Sequence, residues 1–330
     1  MAQSARVLNN TSGTRRKPVC LVHDEAHTTC LSYLRDHTSL LDSCPETPLI
    51  LPASEIQKFF IDRSCFDWFA YILEGSLDFD RLQAACDMVV KKHSILRTFF
   101  TQNDRRILQV TLPHMKAPLH RITTARKVSA VAEKLWSHSS SQSLPMDLLP
   151  FRLILVSNTE ANQHALTLRL SHAQYDGLSL STLTEDLAVA YGGGALSFSL
   201  QFSDYVECTA QQDHTASYAF WRKYLEGSTM TNLQDCKFDT EDRATNPEDF
   251  ESVDAKALVT SPCEPPDGIT MATLIKAAGA LVLGQLTHKK EVVFGQTVNG
   301  RSGLPLSGIE SILGACLNFL PIRIDTLPIS

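Results

Sequence analysis

The sequence lacks the markers of several large function classes. Lys and Arg total 30 against 36 Asp and Glu, a formal net charge of −6. No basic surplus supports phosphate-driven binding, so no nucleic-acid partner is expected. The longest strongly apolar stretch, around Ala277 to Leu286, is broken by Gly279, Gly284 and Gln285. It falls far short of the ~20 residues of a membrane span, so no membrane partner is expected. The nine cysteines are scattered, odd in number and never form C-x-x-C, which argues against a disulfide framework and a zinc cage. No metal site is therefore expected. The first residues, Met-Ala-Gln-Ser-Ala-Arg, have no hydrophobic signal region, and a cytoplasmic location is the expectation. G-x-S-x-G, GKS/T and G-x-G-x-x-G loops are also missing, as is H-E-x-x-H.

What remains is a chain of 330 residues with globular composition: 43% hydrophobic, 20% charged and 8% aromatic. Residues 1–48 read as a polar leader, with a basic Arg15-Arg16-Lys17 triplet and prolines at 45 and 48. Asp67 to Gly75 is aromatic and β-branched and predicts a strand. Asp78 or Asp80 then caps a helix whose apolar residues Leu82, Ala85, Cys86, Val89 and Val90 recur at i, i+3, i+4, i+7 and i+8. Strands are expected at Thr98–Phe100, Ile107–Leu112, Phe151–Val156 and His164–Leu170, and a helix over Val128–His138. In the last of these strands Leu166, Leu168 and Leu170 share one side, and period two places His172 with them.

After Gly177 a helix with Leu180, Leu183, Leu187 and Tyr191 on one face runs into Gly192-Gly193-Gly194. The triglycine suggests a division: a first lobe over 49–191, a linker over 192–200 and a second lobe from 201 to 330. The second lobe should contain helices at Phe202–Gln212 and Ser217–Leu225. An acidic loop at Lys237–Glu251 and a buried helix at Thr270–Leu286 follow. Strands at Val292–Val298 and Cys316–Ile324 complete it. Alternating helices and strands make the class α/β or mixed α+β.

The sharpest chemical feature is Ser171-His172-Ala173-Gln174-Tyr175-Asp176-Gly177, at the end of an apolar strand and the start of a helix. An imidazole projecting from a rigid element suits proton movement at neutral pH. Asp176 and Gly177 are expected to make the tight turn. Other histidines point elsewhere. His23 and His27, at i, i+4, read as solvated, and His93 at a helix end reads as structural. Asp204 and Glu207 read as a polar helix face.

Five blocks in order carry a resemblance. They are Leu51 to Gln57; Lys92-His93-Ser94-Ile95-Leu96-Arg97-Thr98-Phe99-Phe100; Ser171 to Gly177; Phe202 to Tyr205 with Tyr218 to Trp221; and Phe294 to Arg301 with Gly314 to Pro321. Together they resemble the condensation domains of nonribosomal peptide synthetases. Ser171, where that family has its first histidine, resembles the terminal, cyclising domains of fungal synthetases. The resemblance implies two chloramphenicol-acetyltransferase-like lobes in a V. The second is expected to be incomplete, because the chain ends at Ser330 soon after the fifth block.

By the same resemblance, no cofactor is bound. Partner peptidyl carrier proteins deliver acyl or peptidyl groups as thioesters of 4'-phosphopantetheine. His172 is then the catalytic residue, accepting a proton from the nucleophile or orienting it. Asp176 is ion-paired with Arg301, Gly177 lets the backbone pass close to the substrate, and Asn318 lines the tunnel. The alternatives are a free-standing acyltransferase using acyl-CoA and a non-catalytic fragment that only docks carrier proteins.

Overall fold

The computed structural model describes residues 24–42, 46–103, 106–139, 146–233 and 264–326. Its contacts define two compact units. One runs to Gln212 and takes in Asn299–Asn318; the other holds Asp213–Val298 and the chain from Phe319.

The first unit is built on two sheets. Strands β1 (Leu49–Pro52), β4 (Arg106–Thr111) and β3 (Thr98–Asn103) form an antiparallel sheet in the order β1-β4-β3. Strands β2 (Phe66–Glu74), β7 (Gln163–Ser171), β6 (Arg152–Asn158) and β5 (Leu119–Thr123) form the other in that order, with β5 parallel to β6 and the remaining pairs antiparallel. The two central strands of the second sheet, β6 and β7, are buried on both faces, which explains the near-continuous apolar run of β6. Leu153 and Leu155 of β6, with Leu166, Leu168 and Leu170 of β7, enter the main core. Ile154, Val156 and Ala165 point the other way and pack on Val128 and Ala132 of α4 (Val128–Ser139).

Helix α3 (Phe79–Lys92) closes the main core with the five apolar residues its periodicity singled out, all 3% exposed or less. Asp78 is its cap, its side chain accepting from the Arg81 N–H, and Lys91 and Lys92 sit favourably at the C-terminal end. Helix α5 (Gly177–Tyr191) packs beside α3 and adds Leu183. His93 staples the two helices: it is 2% exposed, with Nε2 2.6 Å from Asp186 Oδ2. Burial, opposed by Asp186, lowers its proton affinity, and its role is structural as expected.

Three sequence expectations change here. The leader is not wholly a tail, because α1 (Asp24–His37) buries Cys30 and Leu34 completely, in a cluster with Leu41, Ile50 and Phe99. So few apolar positions among polar ones leave little periodic signal. His27 falls within α1, whereas His23, Arg15-Arg16-Lys17 and the acidic Lys237–Glu251 segment lie outside the described residues. The triglycine stops α5, with Gly193 at φ +83°, but does not divide the chain. The next helix, α6 (Phe202–Ala210), buries Phe202, Tyr205 and Val206 in the first unit's core, so the division falls after Gln212. Asp204 does more than face solvent: its Oδ2 accepts the Gln201 N–H at 2.7 Å and caps α6.

The second unit contains α7 (Thr215–Tyr224), α8 (Met271–Thr287) and the pair β8 (Glu291–Asn299) and β9 (Leu317–Asp325). The expected buried helix forms as α8, but only Ala280 and Gly284 are buried along it; Ile275 is 64% and Val282 52% exposed. Among the described residues only a narrow stripe of this helix, apolar on most faces, is covered. Gly284 lies where a Cβ would come within 2.9 Å of Thr326 Oγ1.

Candidate active site

The register of β2 and β7 locates the site. Phe66 pairs with Ser171 and Asp67 with Leu170. The strand ends at Ser171, and the His172 N–H continues the ladder by donating to the Cys65 carbonyl at 3.0 Å. Alternation placed His172 on the side of the three leucines. Its side chain does meet that face, because Asp67, cross-strand from Leu170, is the residue its Nε2 reaches at 2.8 Å.

The loop from Ser171 to Asp176 is anchored at each step. Gln174 is fully buried and its Nε2 donates to the Ile95 and Thr98 carbonyls at 3.0 and 3.1 Å. Ser171 is buried and its Oγ accepts the Ala173 N–H. It also lines an apolar recess with Ile61, Phe66 and Phe100. From α2 (Glu55–Asp62), the fully buried Gln57 donates to the Ala173 carbonyl at 3.0 Å. Its own backbone N–H is held in a capping box with Ser54. Replacing Gln57 by leucine leaves the Ala173 carbonyl unpaired, and a loss of about 1–3 kcal/mol is expected from urea unfolding.

The imidazole of His172 stacks on the rings of Phe60 (centroids 4.8 Å apart, 21°) and Tyr175 (4.6 Å, 19°). Tyr175 donates its hydroxyl to Asp67 Oδ2 at 2.5 Å and lies 3.2 Å from His172 Nε2. The hydrogen bond with His172, against the effect of burial and with help from Tyr175, holds the Asp67 carboxyl below its ordinary value. Burial and then the Asp67 carboxylate raise the Tyr175 phenol, which stays protonated. His172 Nδ1 is buried and meets no hydrogen-bond partner. One third of the His172 side chain remains exposed (34%), so the ring reaches the surface of the unit.

Asp176 does different work. It caps α5, accepting the Ser179 N–H at 3.0 Å and the Ser179 hydroxyl at 2.8 Å. It also receives Arg301 on both oxygens, Nη1 to Oδ2 at 2.6 Å and Nη2 to Oδ1 at 3.1 Å. The Cys316 N–H donates to Oδ2 at 3.1 Å, and Arg301 Nη2 also reaches the Ile312 carbonyl at 2.9 Å. Both residues are under 5% exposed. Burial is the largest influence and works against the Arg301 charge, but the hydrogen bonds to Asp176 and the surrounding negative charge together outweigh it, and the guanidinium is held still more firmly protonated. The pair thus ties the start of α5 to residues 299–318, more than a hundred positions away in sequence. Burial pushes the Cys316 thiol up to about 12 despite Arg301, so it is no thiolate nucleophile.

The same junction explains Gly314. A Cβ there would lie 2.1 Å from the Phe202 ring, while its N–H and carbonyl both meet the Ser179 hydroxyl at 3.1 Å. Gly314→Ala is expected to cost about 1–3 kcal/mol or more, read as a lower urea midpoint. Gly177 corrects the turn expectation. Its φ is not positive, and a Cβ there meets nothing within 4 Å, so the fold itself does not require glycine. Asn318 is exposed on β9.

Sequence reasoning found His172, Asp176 and Arg301 but missed Asp67, Tyr175 and Phe60. A signal for Asp67 exists. Period two puts it on the face of Phe69, Tyr71 and Leu73, a carboxylate in an otherwise core-facing row.

Comparison with known proteins agrees with this geometry. A family profile for the condensation domain matches residues 56–328. The chain is 57% identical over 330 residues to the nonribosomal peptide synthetase benY of Aspergillus terreus, covering 99% of this chain and 30% of that protein. It is 37% identical over 285 residues to the nonribosomal peptide synthetase fmqA of Aspergillus fumigatus, covering 84% of this chain and 7% of that one. The chain therefore spans less than a third of these relatives. Among solved structures, holo T3CT superposes with a TM-score of 0.76 at 31% identity, covering 94% of this chain and 70% of that one.

Proposed function

The chain belongs to the condensation-domain family, and from that premise we propose that it joins or cyclises carrier-bound acyl or peptidyl groups by forming an amide bond. The observation that carries this reading is His172 on its anchored strand end, an imidazole both held in place and open to the surface of its unit.

The substrate is a thioester on the 4'-phosphopantetheine arm of a partner peptidyl carrier protein. The nucleophile's nitrogen attacks the thioester carbonyl carbon, a C–N bond forms, the C–S bond breaks, and sulfur leaves as the thiol. An α-amine has a pKa of about 7.7–8.0, so a positioned imidazole suffices to take the proton lost from nitrogen and return it to sulfur. Asp176 and Arg301 touch no reacting atom; they hold the loop and the helix start that aim His172. Ser171, in place of a first histidine, supports the cyclising form of the reaction, in which the nucleophile belongs to the same peptide as the thioester. The scattered, free cysteines of the described residues fit a cytoplasmic setting.

The test is incubation with a carrier protein bearing a peptidyl thioester, followed by mass spectrometry. New amide product, open-chain or cyclic, dependent on the carrier is expected. Turnover of soluble acyl-CoA without a carrier, or carrier binding without product, would overturn the reading.

A further inference from the structure

We propose that Asp67 is a positioning residue for His172: its carboxylate holds the imidazole in the tautomer with the proton on Nε2 and the lone pair on Nδ1. Three contacts around one oxygen carry the argument. His172 Nε2 lies 2.8 Å from Asp67 Oδ2, the Tyr175 hydroxyl donates to that same oxygen at 2.5 Å, and the hydroxyl oxygen is 3.2 Å from Nε2.

An ionised carboxylate can only accept. Tyr175 spends its one proton on it, the stronger charge-assisted choice, so its oxygen also faces Nε2 as an acceptor. Both groups beside Nε2 therefore call for a proton there. The other nitrogen gives the same answer independently. Nδ1 is buried without a partner, and a buried N–H with no acceptor is costlier than a bare lone pair on a ring flanked by Phe60 and Tyr175. Stacking on those two rings fixes the ring plane, and Asp67 fixes which edge carries the proton. The lone pair is then left on the buried Nδ1.

All these residues belong to the first unit, and the tautomer does not depend on the chain's substrate. Only the kinetic consequence rests on the condensation reading. In protein carrying 15N-labelled histidine, a downfield imidazole proton bonded to Nε2 of His172 is expected at neutral pH. It is assigned by its loss in His172→Asn. Asp67→Ala should abolish that resonance. Asp67→Asn should lower kcat about 10- to 100-fold while KM for the loaded carrier stays within about twofold, as for other groups that orient a working imidazole. A proton on Nδ1 in the unsubstituted protein, a resonance unchanged by Asp67→Ala, or full kcat in Asp67→Asn would each overturn the assignment. If no condensation is observed at all, the functional reading falls, while the resonance still decides the tautomer.

Discussion

Substituting His172 by alanine is expected to reduce amide formation by about 10²- to 10⁴-fold while the protein stays folded. The two halves of that expectation have separate grounds. The loss follows from removing the group that moves or orients the nucleophile's proton. The persistence of the fold follows from where His172 sits: its side chain is partly exposed, and its structural bond to Cys65 uses the backbone, which alanine keeps. What alanine does lose is ring contact with Phe60 and Tyr175, about 0.5–1.5 kcal/mol for each stacked pair. Single-turnover product formation and urea unfolding of the same preparation check both halves. Product at the unsubstituted rate would remove His172 from the mechanism. A collapsed unfolding midpoint would make its role structural.

The second large effect is on stability. Arg301→Ala or Asp176→Ala should each destabilise the first unit by about 3–5 kcal/mol, because either leaves its partner's charge buried and unpaired. Against a typical total of about 5–15 kcal/mol, such a change brings the unit near unfolding at room temperature. Asp176 loses more than the pair, since it also accepts from Ser179 and Cys316. The double variant should cost much less than the sum of the two single changes, since no lone charge is left behind. Circular dichroism across a urea series of the three variants measures this. Additive losses would mean that the two side chains act independently despite their bidentate contact.

The site's residues were unequally visible beforehand. His172, Asp176 and Gly177 lie within six positions and announce a strand end and a helix start through alternation and capping chemistry. Arg301 was tied to Asp176 only through the family resemblance, since nothing in local periodicity links residues 125 positions apart. Asp67 and Tyr175 were in plain view and went unassigned. A tyrosine three residues after a histidine reads as filler until a strand from elsewhere brings a carboxylate beside both. The α8 helix shows the converse: its apolar sequence was read correctly, but burial depends on what packs against it, and hydrophobicity alone does not name a partner.

By itself, then, the sequence determined the helices and strands with strong periodicity, the caps at Asp78 and Asp176, and the family. These rest on interactions within about four residues, or on ordered blocks of residue types. Tertiary structure alone decided that α1 joins the core, that the chain divides after Gln212 rather than at the triglycine, and that a carboxylate from β2 lies beside His172. Each of these depends on side chains distant in sequence competing for the same buried space or the same proton, and no local pattern records that competition.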